Sequence, residues 1–278
     1  MAPDLSARLS VSVVTYAPDL AVLRDTLQSL IRSLDAARAA GSLVETEVKT
    51  DIAVIDNGPA AEWTGRLAEI ASRCDARLIS GHGNVGYGRG HNIALLASTA
   101  EFHLVLNPDV IVDERAINEA LRFMAAHPQV VMLAPEVRGE GGGLQFLCKR
   151  YPSILDLALR GFAPAWLKRW FDARLARYEM RDLPLDKPTL GVPVLSGSFM
   201  FCRREPIAAL GGFADDFFVY FEDFDLSLRA SRVGALAFVP QVKVVHFGGN
   251  AARKGWRHIL LFARGAVAFF GRNGWRWW

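Results

Sequence analysis

Residues 102–109 read FHLVLNPD, an apolar run of strand length that stops at an Asn-Pro-Asp turn. Upstream, Leu9–Tyr16 and Asp51–Asp56 (DIAVID) are further apolar strands that end in turn residues. Helical periodicity separates the strands, with leucines on one stripe of Leu20–Ala40 and a further helix at Glu114–Ala126. This alternation predicts an α/β fold, a mostly parallel Rossmann-like sheet with helices on both faces.

The same reading places a short strand and two more helices between these elements. They are a helix at Glu62–Cys74, a strand at Arg77–Ser80, and a glycine-rich loop, Gly81–Gly90, that leads into a helix at His91–Ser98. Ligands bind beyond the carboxyl ends of parallel strands. Because Tyr16, Asp56 and Asp109 all fall at such ends, we expect one site to gather them.

The stretch FFVYFEDFDLSLRA, Phe217–Ala230, carries three carboxylates among aromatic residues. Burying such charge is costly unless something compensates, so an acidic cluster at the start of an apolar helix indicates a site. Asp225 has Arg229 four residues later, which predicts a structural pair in a helix over Glu222–Val233. Glu222 and Asp223 point in different directions on that helix.

After Pro135 the pattern changes. A basic helical insert at about 150–185 has seven basic and three acidic residues between Arg150 and Arg181. Beyond it we predict a strand over Val192–Arg203, two short strands around Pro240 and an amphipathic helix over Lys254–Phe270 before a tryptophan-rich tail. This organisation predicts one domain at 8–250, followed by a C-terminal helix and tail at 251–278.

Composition restricts the class of protein. The chain has 278 residues, 51% hydrophobic and 22% charged, which suits one large ordered domain. A net charge of +3 and the lack of an RNA-binding motif argue against nucleic acid as a partner. Three scattered cysteines without zinc spacing suggest free thiols. Without a signal-peptide pattern or a spanning run, we expect a cytoplasmic protein, or one peripheral to the cytoplasmic face of the membrane.

Seven motifs occur in a characteristic order: VSVVTY, VIDNG, GNVGYGRGHN, VLNPDV, LSGSFMFCRRE, GGFADDFFVYFEDFDLSLR and VVHFGGNAARK. In these the chain resembles inverting family 2 glycosyltransferases, most of all the bacterial rhamnosyltransferase-like branch, over roughly residues 9–255. The resemblance implies a GT-A fold, a nucleoside-diphosphate sugar donor and Mg²⁺ or Mn²⁺. It suggests deoxythymidine-diphosphate-rhamnose as donor and a glycan or polyprenyl-linked glycan as acceptor, in cell-surface polysaccharide synthesis.

The resemblance also assigns the reacting groups. Asp109 is the expected metal ligand, a hard oxygen donor beside the donor's phosphates, and His246 would complete the metal shell. The family often has Asp-x-Asp where this chain has Asn107, and an Asx-Pro turn is the alternative reading. Asp223 is the expected general base, which takes the proton of the acceptor hydroxyl. A helix-capping role for the acidic residues is its alternative.

Donor binding is expected along the strand ends and the glycine-rich loop. The Asp56 carboxylate would accept N3–H of uracil or thymine, although Asp-Asn-Gly is also a strong turn signal. Glycines and helix-start N–H groups favour phosphate. The expected donor-binding residues are Thr15, Tyr16, Asp56, Asn57, Asn84, Gly86, Arg89, Gly90, Asn92, Asn107 and Asp109.

Acceptor binding is expected at Ser196, Gly197 and Glu222, although Val194-Leu195 departs from the acidic or aromatic residue that the branch often carries there. Arg253 and Lys254 would hold the diphosphate. Basic residues beside tryptophans in the insert and tail favour an anionic membrane surface, while packing against the domain or a homodimer partner is the alternative.

Two other classes remain open. A sugar nucleotidyltransferase would normally carry a glycine-rich basic signature near the first strand, and APDLAVL after Tyr16 lacks one. A non-catalytic glycan- or membrane-binding protein derived from a transferase would be expected to lose its acidic residues, yet Asp109 and Asp223 are both present.

Overall fold

The computed structural model describes residues 9–43, 50–59, 61–248 and 256–278. The strands are β1 (Leu9–Thr15), β2 (Asp51–Asp56), β3 (Arg77–Ile79), β4 (Phe102–Leu106), β5 (Val110–Val112), β6 (Val130–Gly139), β7 (Leu144–Gln145), β8 (Cys148–Lys149), β9 (Thr189–Leu190), β10 (Val194–Leu195), β11 (Phe199–Arg203) and β12 (Ala235–His246). The helices are α1 (Leu20–Ala39), α2 (Ala61–Arg73), α3 (Tyr87–Leu95), α4 (Ala116–Ala126), α5 (Ile154–Phe162), α6 (Ala165–Trp170), α7 (Asp172–Tyr178), α8 (Arg204–Ala209), α9 (Glu222–Ala230) and α10 (Trp256–Asn273).

The central sheet has the order β3-β2-β1-β4-β11-β6-β12-β5, with β7 beside β6 and β9 beside β12. β3, β2, β1 and β4 are mutually parallel, and β6 is parallel to β12. β11 and β5 run against the other strands of this path. The mixed, mostly parallel sheet that the strand and helix pattern predicts is therefore confirmed.

The core lies on both faces of this sheet. Every residue of β1 and β4 is buried, as expected for central strands covered on two sides. The leucine stripe of α1 (Leu23, Leu27, Leu30 and Leu34) is fully buried with β1, β4 and α4 on one face. On the other face, β6 and β11 pack against α8 and α9.

A chain of polar groups crosses the buried part of β1. Ser12 Oγ lies 2.7 Å from Nδ1 of His91 and 2.8 Å from Nε2 of His103. Ser10 Oγ lies 2.8 Å from Nδ1 of His103. Both imidazoles are inaccessible to solvent, and burial lowers the pKa of His103 to about 3 and that of His91 well below its usual range. Ser12 therefore connects two neutral histidines inside the core.

The glycine-rich segment differs from its prediction. α3 begins at Tyr87, not at His91, so the last part of the expected loop, residues 87–90, is helix. The reason is packing, since a Cβ at Gly88 would lie 2.7 Å from the Phe213 side chain and one at Gly90 2.9 Å from that of Val14. These two glycines allow the helix to pack closely against its neighbours.

Two further predictions about elements were wrong. β12 is one strand rather than two. Pro240 has no N–H, but it falls where the pairing with β6 shifts register, between Val239 and Lys243, so the strand continues past it. α10 also continues to Asn273, through the glycine at which the pattern appeared to end. The basic insert divides into three helices, with Pro164 capping the second.

The C-terminal helix packs on the domain through aromatic residues. Phe269 and Phe270 of α10 are buried against Phe217 and Phe221, in a cluster that also holds Leu157 of the insert. Insert, acidic helix and C-terminal helix thus share one small core. No helix among the described residues combines the length and apolarity needed to cross a bilayer. The three cysteines are free and buried.

Candidate active site

The ends of β1, β2 and β4 lie side by side at the carboxyl edge of the sheet. At the end of β1, Thr15 lies opposite Asp56 of β2. β4 pairs with the other side of β1, and Asn107 comes directly after β4. Asn107 N donates to the Ser198 carbonyl oxygen at 2.9 Å, which ties this turn to the segment before β11. The strand ends therefore supply one wall of a cleft, and the segment 196–198 lies against it.

Asp109 and His246 form a pair because of antiparallel register. Val110 of β5 is paired with His246 of β12, which leaves Asp109 opposite the end of β12. His246 Nε2 lies 3.3 Å from Asp109 Oδ1, and that oxygen is buried without a hydrogen-bond partner among the described residues. The two atoms face each other closely enough that one cation could contact both.

The orientation of the His246 ring is set by Gln145. The Gln145 amide Nε2 donates to the His246 carbonyl oxygen at 3.3 Å, so its Oε1 accepts from His246 Nδ1–H at 3.0 Å. This tautomer leaves the Nε2 lone pair directed at Asp109. A second hydrogen bond that fixes the ring in this way is typical of metal-binding histidines, and the donor set suits a divalent cation that takes further oxygens from phosphates.

Gly248 allows the backbone to pass over this pair. A Cβ there would lie 2.0 Å from Asp109 Oδ2 and 3.1 Å from His246 Nε2. Any side chain would therefore displace the carboxylate or occupy the space of a cation.

The acidic helix begins at a strained turn. Tyr220 and Phe221 have φ angles of 73° and 70°, in the left-handed region that large side chains rarely adopt. The turn reverses the chain so that α9 starts inside the cleft with Glu222 and Asp223. Asp225, one turn on, pairs with Arg229 at 2.7 Å. Such strain persists only where surrounding structure holds it, and α10 supplies part of that support.

Asp223 and Glu222 are adjacent but unequally bonded. Asp223 Oδ2 accepts from Gly197 N at 2.8 Å, and its Oδ1 accepts from Phe224 N at 2.9 Å. Glu222 Oε2 has no hydrogen-bond partner among the described residues. Burial raises the pKa of both carboxyls, and for Glu222 the Asp223 charge adds to it, while the bonds to Asp223 oppose the rise. Of the two carboxyls, Glu222 therefore has the stronger tendency to hold a proton, and the hydrogen bonds to Asp223 favour its ionised form.

Tyr87 was not identified from the sequence, yet it lies at the centre of the site. Its hydroxyl is 2.9 Å from Asn107 Oδ1 and 2.5 Å from the Gly197 carbonyl oxygen. Burial, followed by the charges of Glu222, Asp223 and Asp109, raises the pKa of Tyr87 well above its usual range. Tyr87 thus connects the turn at Asn107 with the segment at Gly197, which itself bonds Asp223. Its position directly after the tight Gly86 turn was the available signal.

One cleft, of about 280 Å³, is lined by Tyr87 together with side chains from the acidic helix and the ends of β4 and β12. The predicted residues in its wall are Asn107, Ser196, Gly197, Glu222, Asp223 and His246. Arg160 and Tyr178, from the insert, also line it and were not predicted. The insert therefore closes the side of the cleft next to Asp223, where an acceptor would lie.

The donor-side residues occupy the neighbouring strand ends. Asp56 is buried, with Oδ1 accepting from Gly58 N at 2.8 Å and Oδ2 from Thr64 Oγ1 at 3.2 Å. Thr15 is buried and donates to the Ile55 carbonyl oxygen at 3.3 Å, while Tyr16 beside it is exposed. The strand-end carboxylate is thus buried, and the residue that follows β1 is exposed.

The loop before α3 is held by side-chain amides. Asn57 Nδ2 donates to the Gly86 carbonyl oxygen at 2.9 Å, and Asn84 Oδ1 accepts from Gly86 N at 3.1 Å. Both ends of the Asn92 amide bond the main chain of Phe213, at 2.8 and 2.9 Å. These amides position the loop and α3. Arg89 Nε is buried without a partner among the described residues.

The phosphate-binding prediction for Arg253 and Lys254 falls outside the described residues. Among the parts of the chain that the structure describes, no group of three or more acidic, histidine or cysteine side chains could hold a metal by itself. The Asp109–His246 pair would thus need ligands from a bound substrate.

Known proteins share this sequence pattern and architecture. An N-acetylglucosaminyl-diphospho-decaprenol L-rhamnosyltransferase of Mycobacterium tuberculosis is 28% identical over 97% of this chain and 86% of its own. Rhamnosyltransferase WbbL of Escherichia coli is 25% identical over 63% of this chain and 65% of its own.

Two solved structures are similar in fold. GalNAc-T7 with UDP, GalNAc and Mn²⁺ superposes with a TM-score of 0.65 at 15% identity, over 96% of this chain and 48% of that one. The mannosyltransferase PcManGT of Pyrobaculum calidifontis, with GDP-Man and Mn²⁺, gives 0.63 at 17% identity, over 98% and 66%. This chain thus spans about half the length of the GalNAc-T7 chain.

The family model "Glycosyl transferase family 2" matches residues 10–211. The fold shared with both solved structures is the expected GT-A fold. The chain belongs to glycosyl transferase family 2 and is a glycosyltransferase.

Proposed function

We propose that this glycosyltransferase moves a sugar, with inversion, from a nucleoside diphosphate to a hydroxyl of a lipid-linked glycan in cell-surface polysaccharide synthesis. Rhamnose from deoxythymidine-diphosphate-rhamnose is the first donor to test, because both curated relatives are named as rhamnosyltransferases. The lipid-linked acceptor follows the name of the mycobacterial relative. The observation that carries the proposal is one cleft lined by both Asp223 and His246, with Asp109 Oδ1 3.3 Å from Nε2 of that histidine.

Asp109 and His246 would hold Mg²⁺ or Mn²⁺ together with the donor's phosphate oxygens. The bound ion supplies positive charge to the departing nucleoside diphosphate. The supporting observation is the buried Asp109 Oδ1 facing the His246 lone pair, since a cation satisfies both atoms at once. Tyr87 would keep Asn107 and Gly197 in place around this position through its hydroxyl.

Asp223 would act as the general base. As the acceptor oxygen bonds to the anomeric carbon and the bond from that carbon to the diphosphate breaks, the hydroxyl proton passes to the Asp223 carboxylate. Its bonds to Gly197 N and Phe224 N fix the carboxylate in one orientation. Glu222, which has the stronger tendency to hold a proton, would donate it in a hydrogen bond to the acceptor sugar, which Ser196 and Gly197 would also contact.

Donor recognition would use the strand ends. Asp56 would accept N3–H of the pyrimidine, with Thr15, the exposed Tyr16 and Asn57 shaping the pocket. The loop from Asn84 to Gly86, the first turns of α3 with Arg89, Gly90 and Asn92, and the segment with Arg253 and Lys254 would surround the diphosphate. Arg89, with an unpaired buried Nε, is the strongest of these candidates.

The exposed aromatic surface would meet a membrane carrying the lipid-linked acceptor. Trp166 and Trp170 of the insert are 61% and 82% exposed, and Trp278 of the tail is 79% exposed. Lysine and arginine in the same short helix as Trp166 and Trp170 would contact anionic headgroups. The protein would then work peripherally at the cytoplasmic face. A homodimer that covers the same tryptophans is the competing arrangement, and sedimentation without lipid distinguishes the two.

Calorimetry with a panel of nucleotide sugars tests the proposal. Wild-type protein should bind one thymidine or uridine diphosphate sugar in the presence of Mn²⁺ or Mg²⁺ and lose that binding in EDTA. Asp109→Asn should lose the metal-dependent part, whereas Asp223→Asn should bind the donor normally but transfer nothing. Equal binding with and without metal would remove the metal from the proposal. Full transfer by Asp223→Asn would remove the base assignment.

A further inference from the structure

A second cavity, of about 260 Å³, lies between the insert and the C-terminal tail. We call it the arginine pocket, since its lining includes Arg150, Arg174, Arg177 and Arg276, together with Asp156 and Tyr178. Four arginines against one aspartate give these charged lining residues a net charge of three positive units. Like charges of this number are costly to hold around one small space unless an anion is bound there.

The pocket is built by main-chain bonds between distant parts of the chain. Ile154 N donates to the Arg276 carbonyl oxygen at 2.9 Å, and Leu155 N donates to that of Trp277 at 3.2 Å. The Tyr151 hydroxyl donates to the Gly274 carbonyl oxygen at 2.5 Å. The tail is thereby held against the first turn of α5. Arg276 reaches the insert through these bonds, so its position is a defined feature of the fold.

The protein itself neutralises only part of the charge. Arg174 Nε pairs with Asp156 Oδ1 at 2.6 Å, and this pair supports the start of α5. Arg177 has no ion pair among the described residues. Arg150 lies 3.8 Å from Asp182 Oδ2. Arg276 Nε donates to an oxygen of Trp278, the last residue of the sequence, at 3.2 Å. Arg177 and Arg276 are therefore available to bind an anion, and their forked guanidinium groups suit phosphate oxygens.

Tyr178 connects the arginine pocket to the catalytic cleft. It is 3% exposed and lines both cavities, and its hydroxyl has no hydrogen-bond partner among the described residues. The charges of both Asp156, in the pocket, and Asp223, in the cleft, act on this hydroxyl. A ligand in the pocket thus lies next to the space where an acceptor would meet Asp223.

We propose that the arginine pocket binds a phosphate group attached to a lipid and so aligns the acceptor for transfer. The phosphate belongs either to the diphosphate of the acceptor or to a neighbouring lipid headgroup. Arg177 and Arg276 bind its oxygens, and Tyr178 donates from its free hydroxyl at the boundary with the cleft. This inference rests on the proposed function for the identity of the acceptor, but the phosphate site is testable without any transfer.

Binding of inorganic pyrophosphate to the full chain, by calorimetry in EDTA, tests the site directly. The double variant Arg177→Gln, Arg276→Gln should bind at least about 10-fold more weakly than wild type, because charge-assisted bonds are the strong ones. Arg122→Gln, which removes an exposed charge from α4, is the matched control and should bind like wild type. Equal binding by the double variant and wild type would overturn the proposal.

Kinetics distinguish the two sources of phosphate. With a short-chain, water-soluble diphosphate-linked acceptor, the double variant should show a KM raised about 10-fold or more at unchanged kcat. An alkyl glycoside of the same sugar should show no change. If instead the double variant has a normal KM but binds phosphatidylglycerol vesicles more weakly than wild type, and phosphatidylcholine vesicles equally well, the phosphate is that of a lipid headgroup. Equal losses with both acceptors would mean a structural role and overturn the proposal.

Tyr178→Phe supplies a second variant that removes a single unpaired hydroxyl and leaves the ring packed. It should raise the acceptor KM for the diphosphate-linked substrate alone. Failure of the site and failure of the proposed function give different results. Arginine-dependent pyrophosphate binding without transfer to any acceptor keeps the site and rejects the function. Normal transfer with arginine-independent binding does the reverse.

Discussion

Gly265 of α10 packs directly against the Tyr220 carbonyl oxygen, and a Cβ at Gly265 would lie 2.8 Å from that oxygen. Tyr220 belongs to the left-handed turn that begins the acidic helix. The C-terminal helix therefore supports the turn that places Glu222 and Asp223, with Phe221 stacked on Phe269 at 5.5 Å between ring centroids. This contact joins two segments about 45 residues apart.

Gly265→Ala should lower the transfer rate without changing donor affinity. The added methyl group pushes the Tyr220 carbonyl, and a shift of the base by a fraction of an ångström costs about 10-fold or more in kcat. Steady-state kinetics with donor calorimetry checks this. Gly271→Ala, in the same helix with open space around its Cβ position, is the control and should keep full activity. A normal kcat in Gly265→Ala would show that the turn does not depend on α10.

Glu222→Gln should retain activity near neutral pH and extend it to higher pH. The wild-type pKa of Glu222 is raised by burial and by Asp223, so its proton is lost as pH rises and the second negative charge disturbs the site. Glutamine stays neutral. The same raised pKa affects the free energy of unfolding: the contribution of Glu222 is full below its unfolded-state pKa and is lost as the pH rises through its folded-state pKa. The pH–rate profile of kcat measures this; an unaltered alkaline limb would contradict it.

Asp223→Asn serves as the reference for that experiment. It preserves the shape of the side chain but cannot accept the acceptor's proton, so transfer should fall by a factor of about 10² or more. Donor binding and the thermal unfolding temperature should change little by comparison.

Gly248→Ala should abolish metal-dependent donor binding. Its Cβ would lie 2.0 Å from Asp109 Oδ2, in the space beside the carboxylate and the His246 ring. Mn²⁺ titration in the presence of nucleoside diphosphate, followed by calorimetry, gives the readout. Gly143→Ala, whose Cβ position is open, is the control. If Gly248→Ala binds Mn²⁺ normally, the Asp109–His246 pair is not the metal site.

Ser12→Ala should destabilise the fold by roughly 2–4 kcal/mol, because it leaves atoms of two buried imidazoles unpaired.

The stability of the wild-type protein should also depend on pH through these two histidines. Both have folded-state pKa values below the ordinary value, so below that ordinary value the unfolded chain binds more protons than the folded protein. Stability should therefore be full above about pH 6.5 and fall as pH decreases toward about 3. Urea unfolding across this range measures the slope. A flat profile would show that the histidines are charged in the fold.

The sequence predicted the elements whose pattern is local. Hydrophobic runs located β1, β2 and β4 within one residue, and the carboxyl-edge argument located Asp56 and Asp109, since both depend on strand direction alone. The predicted start of α3 lay too far along the chain, because the glycines were interpreted as loop residues. In the structure Gly88 and Gly90 are helical, and their lack of a side chain leaves room for Phe213 and Val14. Which role a glycine has depends on residues distant in sequence.

Tyr87, Arg160 and Tyr178 were missed for the same reason. Arg160 and Tyr178 stand in no motif, and the motif that contains Tyr87 was interpreted through its glycines and polar residues. Each of the three reaches the cleft through packing between elements that are far apart along the chain. The left-handed turn at Tyr220 and Phe221 was also beyond prediction, because aromatic residues do not favour that conformation and only the surrounding cluster imposes it.

The dependence of the acidic turn on α10 has a consequence for how the enzyme comes into being. During synthesis the nucleotide-side strands emerge from the ribosome first and can pair early, since β1, β2 and β4 are close in sequence. The support for Tyr220 and Phe221 arrives only when residues 256–273 have been translated. The growing chain can thus assemble its strand-end wall well before it can place Glu222 and Asp223, so we expect a nascent or C-terminally clipped chain not to transfer sugar.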